Sequence, residues 1–342
     1  MGFKKQVLKD EYFTGKVKKI RWGIIGCGNV TEFKSGPAFN KVQGSSLVAV
    51  MRRSADLAKD YAKRHNVPVW YDAASDLIND PDVNAVYIAT PPSFHPTYAI
   101  QCLKAGKPVY VEKPMASSYN ECLQMNEVAS ETGIPLFTAY YRRTLPYFLK
   151  VKELIDSEAI GKIQLVRITL HTSPRPEDFH TGNLPWRVIP SIAGAGYFYD
   201  LASHQMDLLD FLFGPVTAAH GRSYNRGGLY DAEDTVFAAL ETESKIVVQG
   251  SWCFVVNPQN QCDSVEILGS KGRISFSSFQ YTPVVFEMNG KRQETLPLNP
   301  ENIEFYLIKS VVEELQGTGK CPSNGINGAR ANRVMDMILQ KL

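Results

Sequence analysis

Short apolar strands alternate with helical segments at a regular pace over residues 20–139, and this alternation constrains the fold more than any other feature. The predicted strands cover residues 20–25, 47–51, 68–71, 85–89, 108–111 and 136–139. The predicted helices between them cover residues 29–39, 55–64, 98–105 and 119–132. Strands joined by helices in this way form a parallel sheet with right-handed crossovers. The sequence therefore predicts an α/β domain built on a parallel sheet.

A different pattern begins near residue 145 and continues to the end of the chain. Predicted strands cover residues 164–171, 235–241, 245–254, 264–268, 273–277 and 284–288, and predicted helices cover 146–157, 199–212, 303–314 and 327–342. Closely spaced strands joined by turns favour an antiparallel sheet. Because 342 residues exceed one typical core, we expect an N-terminal extension (1–19), a first domain (20–142) and a second, α+β domain (143–342) with a mainly antiparallel sheet.

Composition and charge argue against several classes of protein. A hydrophobic fraction of 44% and a charged fraction of 21% are typical of a soluble globular chain. The net charge of +2 is too small to favour nucleic acid or an anionic membrane. There is no apolar run of the length that spans a membrane, and the N-terminus lacks the apolar core of a signal peptide. The six scattered cysteines suit a reducing compartment. We therefore expect a cytoplasmic protein with no nucleic-acid or membrane partner.

A glycine-rich turn follows the first predicted strand, with the sequence Gly26-Cys27-Gly28-Asn29-Val30-Thr31. In a dinucleotide fingerprint the first glycine permits a tight turn, and the second lets a pyrophosphate approach the backbone at a helix N-terminus. Gly26, Gly28, Asn29 and Val30 fit that pattern, whereas Thr31 stands where the third glycine is expected. The place of this turn between a strand and a helix favours a nucleotide site over a simple turn.

Two arginines end the second predicted strand, where the fingerprint expects a carboxylate for the ribose 2′-hydroxyl. Arg52 and Arg53 suit a 2′-phosphate instead, because a guanidinium forms charge-assisted hydrogen bonds and stacks on adenine. This pattern favours NADP over NAD. The alternative is a solvated charge pair at the start of a helix.

A rigid loop with two prolines follows the fourth predicted strand, at the edge of the sheet where ligands bind. Thr90 and Pro91 are therefore placed to line a cofactor crevice. His95 begins the next helix and either lines the same crevice or only caps that helix. The sequence leaves both interpretations open.

The fifth predicted strand ends in Glu112-Lys113-Pro114. A run this apolar is buried inside a parallel sheet, so the lysine that follows it faces the ligand crevice. A desolvated lysine can donate or accept a proton near neutral pH. The alternative is a surface ion pair between Glu112 and Lys113.

Asp200 and His204 are four residues apart in a predicted helix and therefore share one face. A carboxylate beside an imidazole can raise its basicity and fix its tautomer, as a general base requires. We expect no metal here, because the nearby Asp207 and Asp210 come without a second histidine at ligand spacing. The alternative is a pair that only holds the helix.

Together these motifs resemble the Gfo/Idh/MocA family of NAD(P)-dependent oxidoreductases, named for glucose–fructose oxidoreductase and inositol dehydrogenase. The resemblance spans about residues 20–214 and rests on Gly26 to Val30, Ala89-Thr90-Pro91 with His95, Glu112-Lys113-Pro114, Tyr141-Arg142-Arg143, Trp186-Arg187 and Asp200 through Asp207. It implies an N-terminal Rossmann domain and a second domain whose large open sheet forms homodimers or homotetramers. It also implies that Lys113, Asp200 and His204 are the catalytic residues.

In the chemistry implied by this resemblance, His204 exchanges a proton with the substrate hydroxyl and Asp200 orients His204. Lys113 hydrogen-bonds the reacting oxygen and stabilises its negative charge, and Glu112 positions the nicotinamide or its ribose. Candidate substrate contacts are Tyr141, Arg142, His180, Trp186 and Arg187. The chain departs from the common family pattern at Thr31, at Ala195 and at Tyr141, where many relatives carry asparagine.

We therefore expect an NADP-preferring dehydrogenase or reductase that acts on a secondary alcohol or ketone of a sugar, inositol or related polyol. One alternative is a glycoside-modifying enzyme that keeps and recycles a tightly bound NAD. Another is a regulator that binds the dinucleotide without catalysis, although the presence of all three catalytic residues argues against it.

Overall fold

Six parallel strands form the first sheet of the computed structural model, which describes residues 17–180 and 182–342. The strands are β1 Ile20–Ile25, β2 Ser45–Met51, β3 Val69–Tyr71, β4 Ala85–Ile88, β5 Val109–Val111 and β6 Leu136–Thr138. Their order is β3-β2-β1-β4-β5-β6, and every neighbouring pair is parallel. The predicted parallel sheet is therefore confirmed. Most of the predicted N-terminal extension lies outside the described residues.

Six helices connect these strands, and three of them differ from the prediction. They are α1 Asn29–Phe33, α2 Gly36–Lys41, α3 Ala55–Arg64, α4 Ala74–Asn79, α5 His95–Lys104 and α6 Tyr119–Thr132. The single helix predicted over residues 29–39 is in fact α1 and α2. Pro37 at the start of α2 explains the break, because proline lacks an N–H and clashes with the carbonyl four residues earlier. The six-residue α4 was not predicted.

Eight strands form the second sheet. They are β7 Ile163–His171, β8 Val216–Tyr224, β9 Thr235–Thr242, β10 Val247–Cys253, β11 Cys262–Gly269, β12 Gly272–Phe276, β13 Val284–Met288 and β14 Lys291–Thr295. Their order is β14-β13-β12-β11-β7-β10-β9-β8. The pair β7–β10 is parallel and the other pairs are antiparallel, which confirms a mainly antiparallel sheet. The edge strands β8 and β14 were not predicted.

Five helices follow β6 in the chain: α7 Pro146–Asp156, α8 Pro190–Ala193, α9 Ser203–Phe213, α10 Phe305–Leu315 and α11 Gly325–Ile338. The helix predicted over residues 199–212 begins as a π-helical segment, Phe198–Ala202, which continues directly into α9. This wider turn changes which side chains share a face of the helix.

The last two helices bring the end of the chain back to the first sheet. Leu307 and Val311 of α10 pack in one buried cluster with Trp22 of β1 and Phe39 of α2. Helix α11 contacts both α6 and α9. Residues on both sides of the predicted division at residue 142 therefore share a core.

Some features that would suggest other functions are absent from residues 17–180 and 182–342. This part of the chain has no helix long and apolar enough to cross a bilayer. It also has no group of three or more histidine, cysteine or acidic side chains placed to hold a metal ion. All six cysteines are free thiols, and four of them are buried.

Candidate active site

A cleft of about 520 Å³ opens between β1 and β4, where the strand order of the first sheet reverses, and extends toward the segment before α9. This switch point is the place where open α/β sheets bind ligands. The cleft brings together ten residues that the sequence assigned to the cofactor: Gly26, Gly28, Asn29, Val30, Arg52, Arg53, Thr90, Pro91, Glu112 and Lys113. Asp200, Trp186 and Arg187 line it as well.

The two glycines of the turn leave backbone exposed to this cleft. Gly26 has φ +93°, and a Cβ there would lie 2.8 Å from Thr90 Cγ2, so both its conformation and its surroundings require glycine. A Cβ on Gly28 would meet nothing closer than 3.9 Å and would project into open space. Thr31 stands where the third glycine is expected. Its side chain is buried, and its hydroxyl donates to the Gly28 carbonyl at 2.8 Å. The turn therefore fits a pyrophosphate.

Arg52 and Arg53 form a cationic wall at one end of the cleft. Arg52 Nη1 donates to the Cys27 carbonyl at 3.3 Å, which holds the side chain beside the turn. The Arg53 guanidinium lies over the Phe94 ring, 5.3 Å from its centroid. Both side chains are exposed, and within the described residues neither forms an ion pair with a carboxylate. This wall fits an anionic group on the cofactor.

His95 lies beneath the cleft and not on its surface, so the structure corrects its assignment as a direct cofactor contact. The side chain is fully buried, with Nε2 2.7 Å from the Thr90 carbonyl and Nδ1 3.2 Å from the Pro114 carbonyl. Burial lowers the pKa of His95 despite these carbonyl contacts, so the imidazole is neutral. His95 therefore joins the loop after β4 to the loop after β5.

Lys113 and Asp200 form an ion pair at the floor of the cleft. Lys113 Nζ donates to Asp200 Oδ1 at 2.6 Å and to the Asp200 carbonyl at 3.0 Å. Arg187 Nε donates to the other carboxylate oxygen at 3.1 Å. Burial alone would raise the pKa of Asp200, but Lys113 and Arg187 outweigh it and lower that pKa to about 2. Asp200 is therefore a carboxylate that holds two cations in place.

His204 lies in α9 against three aromatic rings and is 4% exposed. The ring centroids of Tyr141 and Phe279 are 5.4 and 5.9 Å from that of the imidazole, and Nδ1 has no hydrogen-bond partner. Burial first, and then the cations Arg142 and Lys113, hold the pKa of His204 well below its usual value. His204 is therefore neutral at pH 7 and able to accept a proton.

The prediction that Asp200 orients His204 is wrong. Both carboxylate oxygens of Asp200 are engaged by Lys113 and Arg187, and Nδ1 of His204 has no partner. Lys113 reaches Asp200 from the end of β5 and Arg187 reaches it from the segment before α8, and together they occupy the carboxylate that the prediction had assigned to His204. Lys113 and not His204 is the partner of the carboxylate.

The predicted substrate contacts separate into three places. Trp186 and Arg187 line the cofactor cleft, and the Arg187 guanidinium lies 4.6 Å from the Trp186 ring centroid. Tyr141 and Arg142 line a second cavity of about 470 Å³. His180 is exposed and lines neither.

Sequence reasoning missed a buried acidic cluster beneath Lys113. Tyr87 and Tyr110 are register partners on β4 and β5, and their rings stack at 5.0 Å. The Tyr87 hydroxyl donates to Glu112 at 2.7 Å, and the Tyr110 hydroxyl donates to Glu304 at 3.0 Å. The register of β4 and β5 could have placed the tyrosines together, but no sequence signal links Glu304 to a strand nearly 200 residues earlier.

Comparison with known proteins agrees with this geometry. Residues 20–140 match the family model described as an oxidoreductase family with an NAD-binding Rossmann fold, and residues 148–275 match the Gfo/Idh/MocA C-terminal domain. The family and the two-part fold that the resemblance implies are therefore confirmed.

The chain is also similar over nearly its full length to individual proteins. It is 37% identical to oxidoreductase P35 of Formosa agariphila over 319 residues, which are 93% of this chain and 98% of that protein. It is 26% identical to 1,5-anhydro-D-fructose reductase of Ensifer adhaerens, over 90% of this chain and 92% of the relative. An aldose–aldose oxidoreductase from Caulobacter crescentus complexed with glycerol shares the fold, with a TM-score of 0.82, 23% identity and coverage of 94% and 96% of the two chains. The chain belongs to the Gfo/Idh/MocA family of oxidoreductases.

Proposed function

We propose that this protein transfers a hydride between NADP and a secondary alcohol or ketone of a sugar, inositol or related polyol. The observation that carries the proposal is the Lys113–Asp200 pair at the floor of a dinucleotide cleft, with a neutral His204 nearby. A cation that can hold an oxygen and a base that can accept its proton are what alcohol oxidation requires.

The residues around the cleft fit a dinucleotide. The backbone at Gly26 and Gly28 would hold the pyrophosphate, and Arg52 and Arg53 would bind a ribose 2′-phosphate. Glu112 faces the cleft beside Lys113 and would accept from the nicotinamide ribose. When bound, the cofactor supplies the acceptor or donor of the hydride at its nicotinamide ring.

Lys113 would bind the reacting oxygen of the substrate. An ammonium has three N–H donors, and two of them are directed at Asp200, which leaves one for the substrate. In oxidation the hydroxyl proton passes to a ring nitrogen of His204 as the C–H bond gives up its hydride, and the Lys113 ammonium stabilises the oxygen as its charge grows. In reduction the same proton returns to the oxygen.

The name of one relative, 1,5-anhydro-D-fructose reductase, supports a carbonyl or alcohol of a sugar as the reacting group. We also propose a homodimer or homotetramer, since Phe237 and Val247 lie half-exposed on the neighbouring strands β9 and β10 of the open second sheet. Light scattering tests this assembly, and Phe237→Glu is expected to shift the protein toward the monomer. Six free thiols support a reducing, cytoplasmic setting.

A panel of polyols and keto-sugars, followed at the nicotinamide absorbance with NAD and NADP in parallel, tests the function. Turnover that is faster with NADP supports the proposal, and a clear preference for NAD contradicts the role of Arg52 and Arg53. If cofactor stays bound through purification without net turnover, a redox-cycling enzyme replaces the proposal. If Lys113→Ala leaves the cellular role intact, a non-catalytic regulator replaces it.

A further inference from the structure

The second cavity, of about 470 Å³, adjoins the residues proposed to react. Two of its lining rings, Tyr141 and Phe279, are the rings that contact the His204 imidazole. Its charged lining residues are Lys34, Arg142 and Glu301. A volume of this size accommodates a substrate as large as a sugar derivative. The part of a substrate next to its reacting carbon would therefore enter this cavity.

Arg142 is a buried cation without a counter-ion. It is 5% exposed, its guanidinium lies 4.6 Å from the Phe279 ring centroid, and Nε donates to the Ser278 carbonyl at 3.0 Å. Nη1 is buried without any acceptor, and no ion pair forms between Arg142 and a carboxylate of the described chain. A guanidinium remains charged at all working pH values, so its burial without an anion is unfavourable.

Arg143, the next residue in the chain, is a buried arginine that does have carboxylate partners. Arg143 Nε donates to Asp207 at 2.9 Å and its Nη2 donates to Asp210 at 2.8 Å. Those carboxylates are thus engaged by Arg143 and leave Arg142 without an anion. The difference between the two neighbours points to a ligand and not to the fold as the partner of Arg142.

Lys34 places a second cation on the same cavity. It is exposed, and in the structure as described it forms no ion pair. The positive charges of Lys34 and Arg142 both contribute to the lowered pKa of His204, so both side chains lie near the reacting centre. The carboxylate of Glu301 is 86% exposed and is engaged by Lys41 at 2.7 Å, so it does not neutralise the two cations.

We propose that Arg142 and Lys34 form a subsite for an oxyanion group on the substrate, beside the alcohol or ketone that reacts at Lys113 and His204. This inference rests on the proposed function and narrows its substrate class to acidic sugars and polyols. The charge is a carboxylate, a sulfate ester or a phosphate ester. A guanidinium with free Nη donors binds such a group through paired hydrogen bonds, and Lys34 adds a point charge. The Phe279 and Tyr141 rings would pack against the sugar ring.

Steady-state kinetics on matched substrates test the subsite. A neutral sugar, the corresponding uronic acid, and its sulfate and phosphate esters are compared on the wild-type enzyme, which distinguishes the three sources of charge. We expect kcat/KM to favour an acidic member and to fall as ionic strength rises. Equal kcat/KM for neutral and acidic members, without salt dependence, overturns the proposal.

Four variants connect that preference to the two cations. Because a hydrogen bond to a charged group is worth about 1.5–3 kcal/mol, Lys34→Gln and Arg142→Gln should each lower the ratio of acidic to neutral kcat/KM about 10-fold or more. Lys59→Gln removes the same charge at an exposed position on α3 outside both cavities and should leave the ratio unchanged. Arg142→Lys keeps the charge without the paired donors and should retain part of the preference for acidic substrates. An unchanged ratio in Lys34→Gln, which is exposed and safe for folding, contradicts the proposal.

Binding experiments separate failure of this subsite from failure of the proposed function. If no panel member is turned over, calorimetric titration of the cofactor-loaded protein with the uronic acid still measures the subsite. Binding that weakens in Lys34→Gln but not in Lys59→Gln supports the subsite even then. Equally weak binding in the wild type and in both lysine variants refutes the subsite.

Discussion

Lys113 Nζ lies 2.6 Å from Asp200 Oδ1 and 3.0 Å from the Asp200 carbonyl oxygen, which joins the end of β5 to a π-helical segment 87 residues later in the chain. Two hydrogen bonds to one residue fix the ammonium in both distance and direction. The carboxylate holds that ammonium in place while Arg187 holds the carboxylate from its other side. The pair therefore binds the two halves of the cleft together at the point where we propose that the substrate oxygen reacts.

Loss of the Lys113 charge should abolish most of the activity without loss of the fold. Lys113→Met removes the donor to the reacting oxygen, so we expect kcat to fall by about 10²–10⁴, as for other groups that act in proton transfer. Asp200→Asn removes the anion that fixes the position of the lysine, so kcat should fall in this variant as well. Stopped-flow kinetics measure both effects. A kcat within twofold of wild type in Lys113→Met is inconsistent with this role.

The acid limb of kcat/KM for alcohol oxidation should lie below pH 6.5. Burial and nearby cations hold the pKa of His204 well below its ordinary value of 6.5, so the neutral base is present above its own lowered pKa and is lost only as the pH falls through it. His204→Asn should remove this limb and lower kcat by about 10²–10⁴. A pH profile of wild type and variant measures both. An acid limb at or above pH 6.5 that His204→Asn leaves in place would falsify the assignment.

The first sheet was predictable because each of its strands is a short apolar run between helix signals. Strands β1 and β5 illustrate this, since both are almost wholly buried and both end at residues of the cleft. The polar strand β14 carries no such signal, because its five residues are mostly exposed at the edge of the sheet. The local apolar pattern therefore predicts apolar strands, the exposed edge strand β3 among them, and misses polar edge strands.

The candidate site was predicted as a set of residues but not as a set of contacts. Spacing of four residues suggested a pair between Asp200 and His204, but Lys113 and Arg187 take both carboxylate oxygens of Asp200. Glu304 and Lys34 could not be found, because each reaches the site through packing between distant segments. Sequence motifs identify the residues at the ends of strands, whereas contacts between residues far apart in the sequence depend on the tertiary structure.

Preference for NADP should depend on Arg53 and its neighbour Arg52. Because a hydrogen bond between charged groups contributes about 1.5–3 kcal/mol, Arg53→Ala should raise KM for NADP about 10-fold or more and leave KM for NAD nearly unchanged. Lys59→Ala is the matched control, since this exposed cation lies on α3 but outside the cleft. Initial rates with both cofactors measure the effect. Equal losses with NADP and NAD would argue against binding of a 2′-phosphate.

The buried cluster of Arg143 with Asp207 and Asp210 should be a large contributor to stability. Both carboxylates are within 3 Å of the guanidinium, and all three side chains are nearly inaccessible. Arg143→Met leaves Asp207 without an ion-pair partner and Asp210 with Arg330 alone, so the free energy of unfolding should fall by about 3–5 kcal/mol. The control is Lys152→Ala, which breaks an exposed pair with Asp156 and should cost less than about 1 kcal/mol. Urea denaturation measures both, and similar losses would contradict a structural role for Arg143.

Glu304 should make the protein less stable as the pH rises. Its carboxyl group is fully buried beside Glu112 and accepts from Tyr110, with the charge of Lys34 nearby. Burial, and then the negative charge of Glu112, raise the pKa of Glu304 well above its usual 4.5. Between that value and the raised pKa the folded protein binds more protons than the unfolded chain, so the free energy of unfolding falls with increasing pH.

Glu304→Gln removes this dependence because an amide stays neutral at every pH. We expect the variant to gain stability relative to wild type as the pH rises above 4.5, with a slope of at most about 1.4 kcal/mol per pH unit. Glu301→Gln is the matched control, since this carboxylate is exposed three residues earlier and should leave the slope unchanged. Urea denaturation across pH measures all three proteins. Parallel stability curves for wild type and Glu304→Gln would show that Glu304 is ionised in the folded protein, and the pair with Glu112 would then carry two charges and not one.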